Sequence, residues 1–317
     1  VTTQLISRFG TGFLRTEIYR HGDAHLWVRR PGPHRGRPFH HMSLRAGTAI
    51  AAVPTGPVVW RLPEESGGEI RLYRAPGETS AANLAIGSSG DPEWERLRRV
   101  LCNTGRALRA VHIGVSGELA AEPPPGPSRL ARWLRSGRGP GGAVRFHETA
   151  RRRLGSRRWE RALSWCEPHP GATRFLHGAP SLGCLVLGPV TGNAALLSGE
   201  ELARGPAESD VGWLLGELVE LRLIGETVPA LRRLSEQAEA AAAALLRGYD
   251  APLDTGLLGR VATTRVFTHA HDFAAYVGWA DELTNYADYL VRLIDEQGGP
   301  AVPAGDRQLL KSGSGDN

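Results

Sequence analysis

Short apolar-rich runs open the chain, from Leu5 to Tyr19 and from His25 to Gly32, and the first is broken by Gly10-Thr11-Gly12. The pattern predicts three short strands with a glycine turn between the first two. Farther along the period lengthens. Arg129, Arg132, Arg135 and Arg138 recur every third residue around Trp133 and Leu134, which predicts a helix entering a Gly-Pro loop at residues 138–142. Glu148 to Leu163 is also helical in pattern, with Phe146, Leu154, Trp159 and Leu163 on its inner face. Glu226 to Gly248 predicts another helix, with Pro229 near its first turn, an alanine-rich middle through Ala242 and Gly248 as its stop. Between these segments, Glu118 to Ser128 contains Glu122-Pro-Pro-Pro-Gly-Pro127 and reads as an extended, solvated linker. The polar, glycine-rich stretch from Pro303 onward is expected to fray.

A length of 317 residues is near the upper limit for one core and comfortable for two lobes sharing a cleft. No run approaches the length of a transmembrane helix, and Val1-Thr-Thr-Gln4 does not begin a secretory leader, so no membrane role is expected. Cys102, Cys166 and Cys184 are an odd number, which suits reduced thiols and a cytoplasmic location. Cys184 reads as a buried, inert thiol in an apolar strand. The basic excess is arginine, since Lys311 is the one lysine, and that composition suits a high-GC bacterial source.

The arginines concentrate in one region. Arg132, Arg135, Arg151, Arg152, Arg157 and Arg158 are the candidate binding residues there, opposed by Glu148 and Glu160. Such a face is either simply solvated or an electrostatic docking surface for an acidic peptide or partner protein. Nucleic acid is disfavoured, because no aromatic residues interleave with the arginines in a base-stacking pattern. Thr268-His-Ala-His-Asp272 brings two histidines and an aspartate close in sequence. The flanking pattern is helical, where the histidines diverge, and nothing completes a four-ligand site.

The segment Phe175-Leu-His-Gly-Ala-Pro-Ser-Leu-Gly-Cys-Leu-Val-Leu187 resembles the catalytic loop of the aminoglycoside and choline kinase-like phosphotransferases, which runs roughly H-G-D-x-x-x-x-N before an apolar strand. His177 and Gly178 stand in place. Ala179 replaces the aspartate that accepts the substrate proton, and Cys184 replaces the metal-binding asparagine. Ser198 falls where the family has a second metal-binding aspartate. Asp210 matches a helix aspartate that in the family hydrogen-bonds the catalytic loop. Gly10 and Gly12 resemble the turn over the nucleotide, and Arg29 takes the position of the lysine that grips its phosphates. Glu69 to Glu78 resembles the last small-lobe strand running into the hinge. Gly105 to His112 resembles the end of the long helix, and Leu246 to Pro252 and Phe273 to Trp279 resemble the closing helices.

This resemblance implies a two-lobed α+β, protein-kinase-like fold: a small β-rich lobe over residues 1–80 and a larger helical lobe over 81–317. It also implies lost chemistry, because phosphoryl transfer needs magnesium on hard oxygen ligands together with basic side chains on the phosphates. No catalytic residue, metal or cofactor is therefore expected. The expected function is that of a pseudokinase acting as a peptide- or partner-binding component. Degenerate relatives of this kind resemble proteins of modified-peptide biosynthesis, of the thioamitide or class V lanthipeptide type, where the partners would be a precursor peptide and a lyase. The alternative is an active ATP-dependent phosphotransferase, acting on a peptide Ser/Thr or a small-molecule hydroxyl, with Glu200, Glu201 or Asp210 on magnesium and Arg29 on phosphate.

Overall fold

The small lobe begins with an antiparallel meander, β1 (Thr3–Gly10), β2 (Leu14–His21) and β3 (Ala24–Pro31), whose second turn is closed by Gly22 at φ 59°. A computed structural model describes residues 3–36, 38–39, 42–87, 90–169, 173–228 and 231–305. After β3 come α1 (Leu44–Ala51), capped by the Ser43 hydroxyl accepting from the Ala46 amide, and strands β4 (Val58–Arg61), β5 (Glu65–Ser66) and β6 (Arg71–Ala75). The sheet order is β1-β2-β3-β6-β5, so β3 is central and its cleft-facing residues are covered.

The chain then enters the large lobe through α2 (Ala81–Gly87) and the long α3 (Asp91–Gly114). Helices α4 (Pro125–Ser136) and α5 (Ala143–Ser164) follow, α5 being broken at Gly155 (φ 68°, ψ 172°) within the stretch expected to form one helix, and then strands β7 (Arg174–Leu176), β8 (Leu185–Leu187), β9 (Ala194–Leu197) and β10 (Ala203–Gly205). Helices α6 (Glu208–Thr227), α7 (Arg232–Tyr249), α8 (Thr255–Tyr276) and α9 (Glu282–Asp295) complete the lobe. β4 pairs in parallel with β9, and β8 pairs antiparallel with β9, so a strand from the amino-terminal third joins the sheet beneath the cleft.

One large apolar core unites α3, α6, α7 and α8 with α1 and β4. Close approach of α3 and α7 depends on paired glycines: a Cβ on Gly105 would meet the Leu245 carbonyl at 2.3 Å, and one on Gly248 the Cys102 carbonyl at 1.8 Å. A second, smaller core sits between the lobes. Ile18, Trp27, Tyr73 and Ala75 of the small-lobe sheet pack there on Val186 and Leu197 of β8 and β9.

The two-lobed α+β fold expected from the sequence is the one observed, but three further local expectations need correction. The proline-rich stretch is not an extended linker throughout. Pro125 opens α4, where the missing amide costs nothing, and Gly126 is buried against Trp213. The helix expected from Glu226 to Gly248 is two elements, since α6 ends at Thr227 and α7 begins at Arg232. Val228 between them is extended (φ −114°, ψ 104°), the conformation that the following proline imposes, although Pro229 itself lies outside the described residues. Cys184 precedes β8 rather than lying within it, and it is only half-buried. Of the stretch expected to fray, residues 306–317 lie outside the described residues, and Lys311 with them.

Candidate functional site

β7 delivers the chain to His177 at the floor of the cleft, and the first turn of α6 places Asp210 beneath it. The Asp210 carboxylate is fully buried and accepts from the His177 amide at 2.7 Å and the Gly178 amide at 2.9 Å. From α3, His112 Nε2 reaches the same carboxylate at 3.0 Å, and His112 Nδ1 meets the Tyr249 hydroxyl at 3.1 Å. Asp210 thus holds the loop to two helices. Gly178 has φ 89°, and a Cβ there would lie 1.6 Å from the Glu201 carbonyl, so only glycine fits this turn. The His177 ring is buried, with Nε2 donating to the Leu197 carbonyl at 3.0 Å. Burial lowers its pKa and outweighs the opposing charge of Asp210, which keeps the imidazole neutral at neutral pH. Ala179 lines the adjoining cavity with a methyl group where proton abstraction would need a base.

The glycine turn above this loop has its amides engaged. Thr11 N donates to Leu14 O at 2.8 Å, Gly12 N to Tyr276 O of α8 at 2.9 Å, and Phe13 N to the Thr11 hydroxyl at 3.1 Å. A turn that cradles phosphate must present free amides. Gly10 and Gly12 instead permit close backbone approach: a Cβ on Gly10 would lie 2.6 Å from Leu14 O. Phe13 then reaches down between the lobes. Its ring lies 4.7 Å from the Arg35 guanidinium, 4.6 Å from that of Arg129 and 5.2 Å from the Tyr276 ring.

Arg29 projects from β3 into the cleft and is 3% exposed. It donates to Glu200 Oε1 at 3.0 Å, to the Gly183 carbonyl at 3.0 Å and to Cys184 Sγ at 3.3 Å. The Tyr73 hydroxyl donates to the same Glu200 oxygen at 3.1 Å. Burial opposes the Arg29 cation, but Cys184 and Glu200 beside it outweigh this and raise its pKa above the arginine norm. Glu201 is bound by Arg35 at 2.8 Å, and the Ser198 hydroxyl turns back to the Leu196 carbonyl at 2.9 Å. Among the described residues, no group of three or more His, Cys, Asp or Glu side chains is arranged to hold a metal ion. The residues present do not fit a magnesium nucleotide: Glu200 and Glu201 are each held by an arginine, and Asp210 is committed to the loop.

Trp27, two residues before Arg29 on β3, shares its face of the strand. Its indole has no solvent exposure, fills the small core between the lobes, and donates from Nε1 to the Gly77 carbonyl at 2.9 Å. Gly77 belongs to the connection from β6 into α2, so a side chain of the protein itself occupies the apolar slot beside the hinge.

An interlobe cavity of about 230 Å³ beside the His177 loop has charged walls that neutralise one another. Arg129 pairs with Asp272 at 2.7 Å, and Arg265 pairs with Glu217 at 2.6 Å and with Glu220 at 3.2 Å. The Thr268–Asp272 segment lies in α8, where His269 faces Glu220 while His271 packs 4.8 Å from the Trp133 ring. None of Arg132, Arg135, Arg151, Arg152, Arg157 and Arg158 lines this cavity. Arg132, Arg135, Arg152 and Arg157 are exposed, and no hydrogen bond or ion pair engages them among the described residues. Arg158 is committed to Asp295, at 2.8 and 2.7 Å, and Arg151 lies over the Trp159 ring at 5.3 Å.

Trp27, Tyr73, Phe13 and Arg35 were not singled out from the sequence. For Trp27 a signal existed, because strand alternation puts it on the face of Arg29. Nothing local predicts that Arg35 reaches Glu201, since 166 residues separate them.

The fold and this cleft define a two-lobed α+β protein of the aminoglycoside phosphotransferase and protein-kinase-like structural class. A spectinomycin phosphotransferase solved with ADP and spectinomycin is similar over 94% of this chain and 94% of its own, with 9% identity and a TM-score of 0.55. A thermostable mutant of the aminoglycoside phosphotransferase APH(4)-Ia, in its apo form, is similar over 100% of this chain and 96% of its own, at 11% identity and a TM-score of 0.50. The GDP and kanamycin complex of APH(2'')-IIia is similar over 95% of each chain, at 13% identity and a TM-score of 0.50. At such identities the likeness shows the fold alone. No protein-family model and no curated protein matches the sequence.

Proposed function

We propose that this chain is a phosphotransferase-like binding protein that does not transfer phosphate. The Arg29–Glu200 pair carries the reading: one contact engages both the arginine standing where the resemblance puts the phosphate-gripping lysine and the carboxylate two residues after Ser198. Trp27 in the hinge slot and the engaged amides of the glycine turn support it. The function is then exerted through surfaces, and its ligand is an acidic peptide or partner protein drawn to the arginine-rich helices. A modified-peptide pathway, with a precursor peptide and a lyase as partners, is the setting in which such a protein would work.

Thermal unfolding with and without Mg-ATP tests this. A ligand at a hundred times its dissociation constant stabilises by about 2.7 kcal/mol, so an unmoved transition at millimolar Mg-ATP is expected. Phosphorylated product formed from ATP and abolished by Glu200→Ala would overturn the proposal in favour of an active phosphotransferase.

A further inference from the structure

Trp213 lines the interlobe cavity and also a second cavity in the large lobe, of about 260 Å³. The walls of this second cavity are built on Pro123, Pro124, Pro127 and Pro206, with Trp165 and Trp213. Proline rings and indoles are rigid, so covering them costs little side-chain entropy. Proline also has no amide donor to leave unsatisfied. Indole walls favour flat rings, which stack on them with an offset.

The buried polar groups of the lining are satisfied within their own helices. The Thr264 hydroxyl donates to the Arg260 carbonyl at 2.9 Å, and the Cys166 thiol to the Ala162 carbonyl at 3.4 Å. Burial pushes that thiol up to about 12, so it stays uncharged. Besides the exposed His169, the charged side chains of the lining are Arg204 and Glu167, one of each sign and both exposed. The cavity therefore has no net charge with which to select an ion. What it leaves open is hydrogen-bond donors. Trp213 is 5% exposed and Trp165 half-buried, and neither indole N–H has a hydrogen-bond partner among the described residues. A buried donor without an acceptor costs about 1–3 kcal/mol. A ligand carrying an acceptor recovers that cost, and a purely apolar one does not.

We infer that this cavity binds a small neutral molecule of one or two fused rings bearing a carbonyl, its rings against the indoles and prolines and its oxygen accepting from an indole N–H. Small-molecule sites have this composition: an apolar concavity in which a few polar groups fix orientation. The site is separate from the arginine-rich helices proposed to dock an acidic partner, so it stands or falls independently of that reading.

Isothermal titration of the full chain tests it with three probes: coumarin, coumarin-3-carboxylate and indole. Coumarin, a neutral fused-ring lactone, should bind saturably and one to one. The carboxylate should bind at least about tenfold more weakly, because its charge loses water and meets no net opposite charge in the lining. Indole has similar rings but a donor where an acceptor is needed, so it should give no saturable heat. Trp213→Phe or Trp165→Phe, whichever removes the donor in use, should weaken coumarin by about tenfold, the contribution of one hydrogen bond. Val261→Phe enlarges a half-buried side chain of the lining and should abolish coumarin binding. Circular dichroism and urea midpoints show which variants remain folded.

No saturable heat with coumarin overturns the inference. So does a coumarin affinity that is unchanged when Trp165→Phe and Trp213→Phe are combined, or unchanged in a folded Val261→Phe chain. Carboxylate or indole binding as tight as coumarin binding overturns the assignment to a neutral carbonyl compound. If Val261→Phe does not fold, the tryptophan replacements decide the question alone.

Discussion

Arg29 of β3 and Glu200, just after β9, meet at 3.0 Å across the cleft, with guanidinium and carboxylate both almost wholly removed from solvent. Arg29 is the main charge partner of Glu200, while Arg29 itself lies against both Cys184 and Glu200. Removing one leaves the other buried and uncompensated, so Arg29→Ala or Glu200→Ala is expected to lose about 3–5 kcal/mol. Replacing both, as Arg29→Met with Glu200→Leu, should recover most of that loss. Urea unfolding of the two alanine variants, the double replacement and the wild type measures the difference.

The same pair sets an acid sensitivity. Burial opposes ionisation of Glu200, but Arg29, helped by Arg35 and Tyr73, holds its carboxyl below the usual glutamate range. A depressed carboxyl contributes stability above its unfolded value of about 4.3 and loses it as pH falls through the folded value. Asp272 acts in the same direction, with Arg129 and His271 outweighing its burial. Wild-type stability should therefore fall on acidification below about pH 4.3, and Glu200→Gln should show a shallower fall. Denaturation midpoints measured from about pH 6 down to about pH 3 check this.

Trp27 fills the space between the lobes beside Gly77. Trp27→Ala should cost about 3–5 kcal/mol and leave an apolar cavity. Such a cavity takes up a small aromatic molecule, so indole should raise the unfolding temperature of Trp27→Ala and leave that of the wild type unchanged. Differential scanning calorimetry with and without indole reads the effect.

Asp210 satisfies two backbone amides and one imidazole. In Asp210→Ala the His177 and Gly178 amides and His112 Nε2 lose their acceptor inside the protein, at about 3 kcal/mol or more. Amide hydrogen exchange at His177 and Gly178 should quicken well before that of α3 or α8. Equal protection in the variant would mean that the loop is held by other contacts.

The parts of the site that were legible in the sequence are short local phrases. The glycine turn, the strand carrying Arg29, the His177-Gly178 loop and the last turns of the helix carrying His112 can each be read within about ten residues. Pairings across the chain were not legible. Arg29 and Glu200 are 171 residues apart, and their contact follows from the packing of two sheets. The proline-rich segment misled for a physical reason: proline is equally at home in an extended linker and in the first turn of a helix. Only the packing of Gly126 on Trp213 distinguishes the two.

The central claim is that residues of this chain fill the cleft in place of a nucleotide and its metal. Isothermal titration of the wild-type protein with ATP and magnesium tests it most directly. The account predicts no saturable heat at millimolar nucleotide. Saturable one-to-one binding that is lost in Arg29→Ala would contradict it.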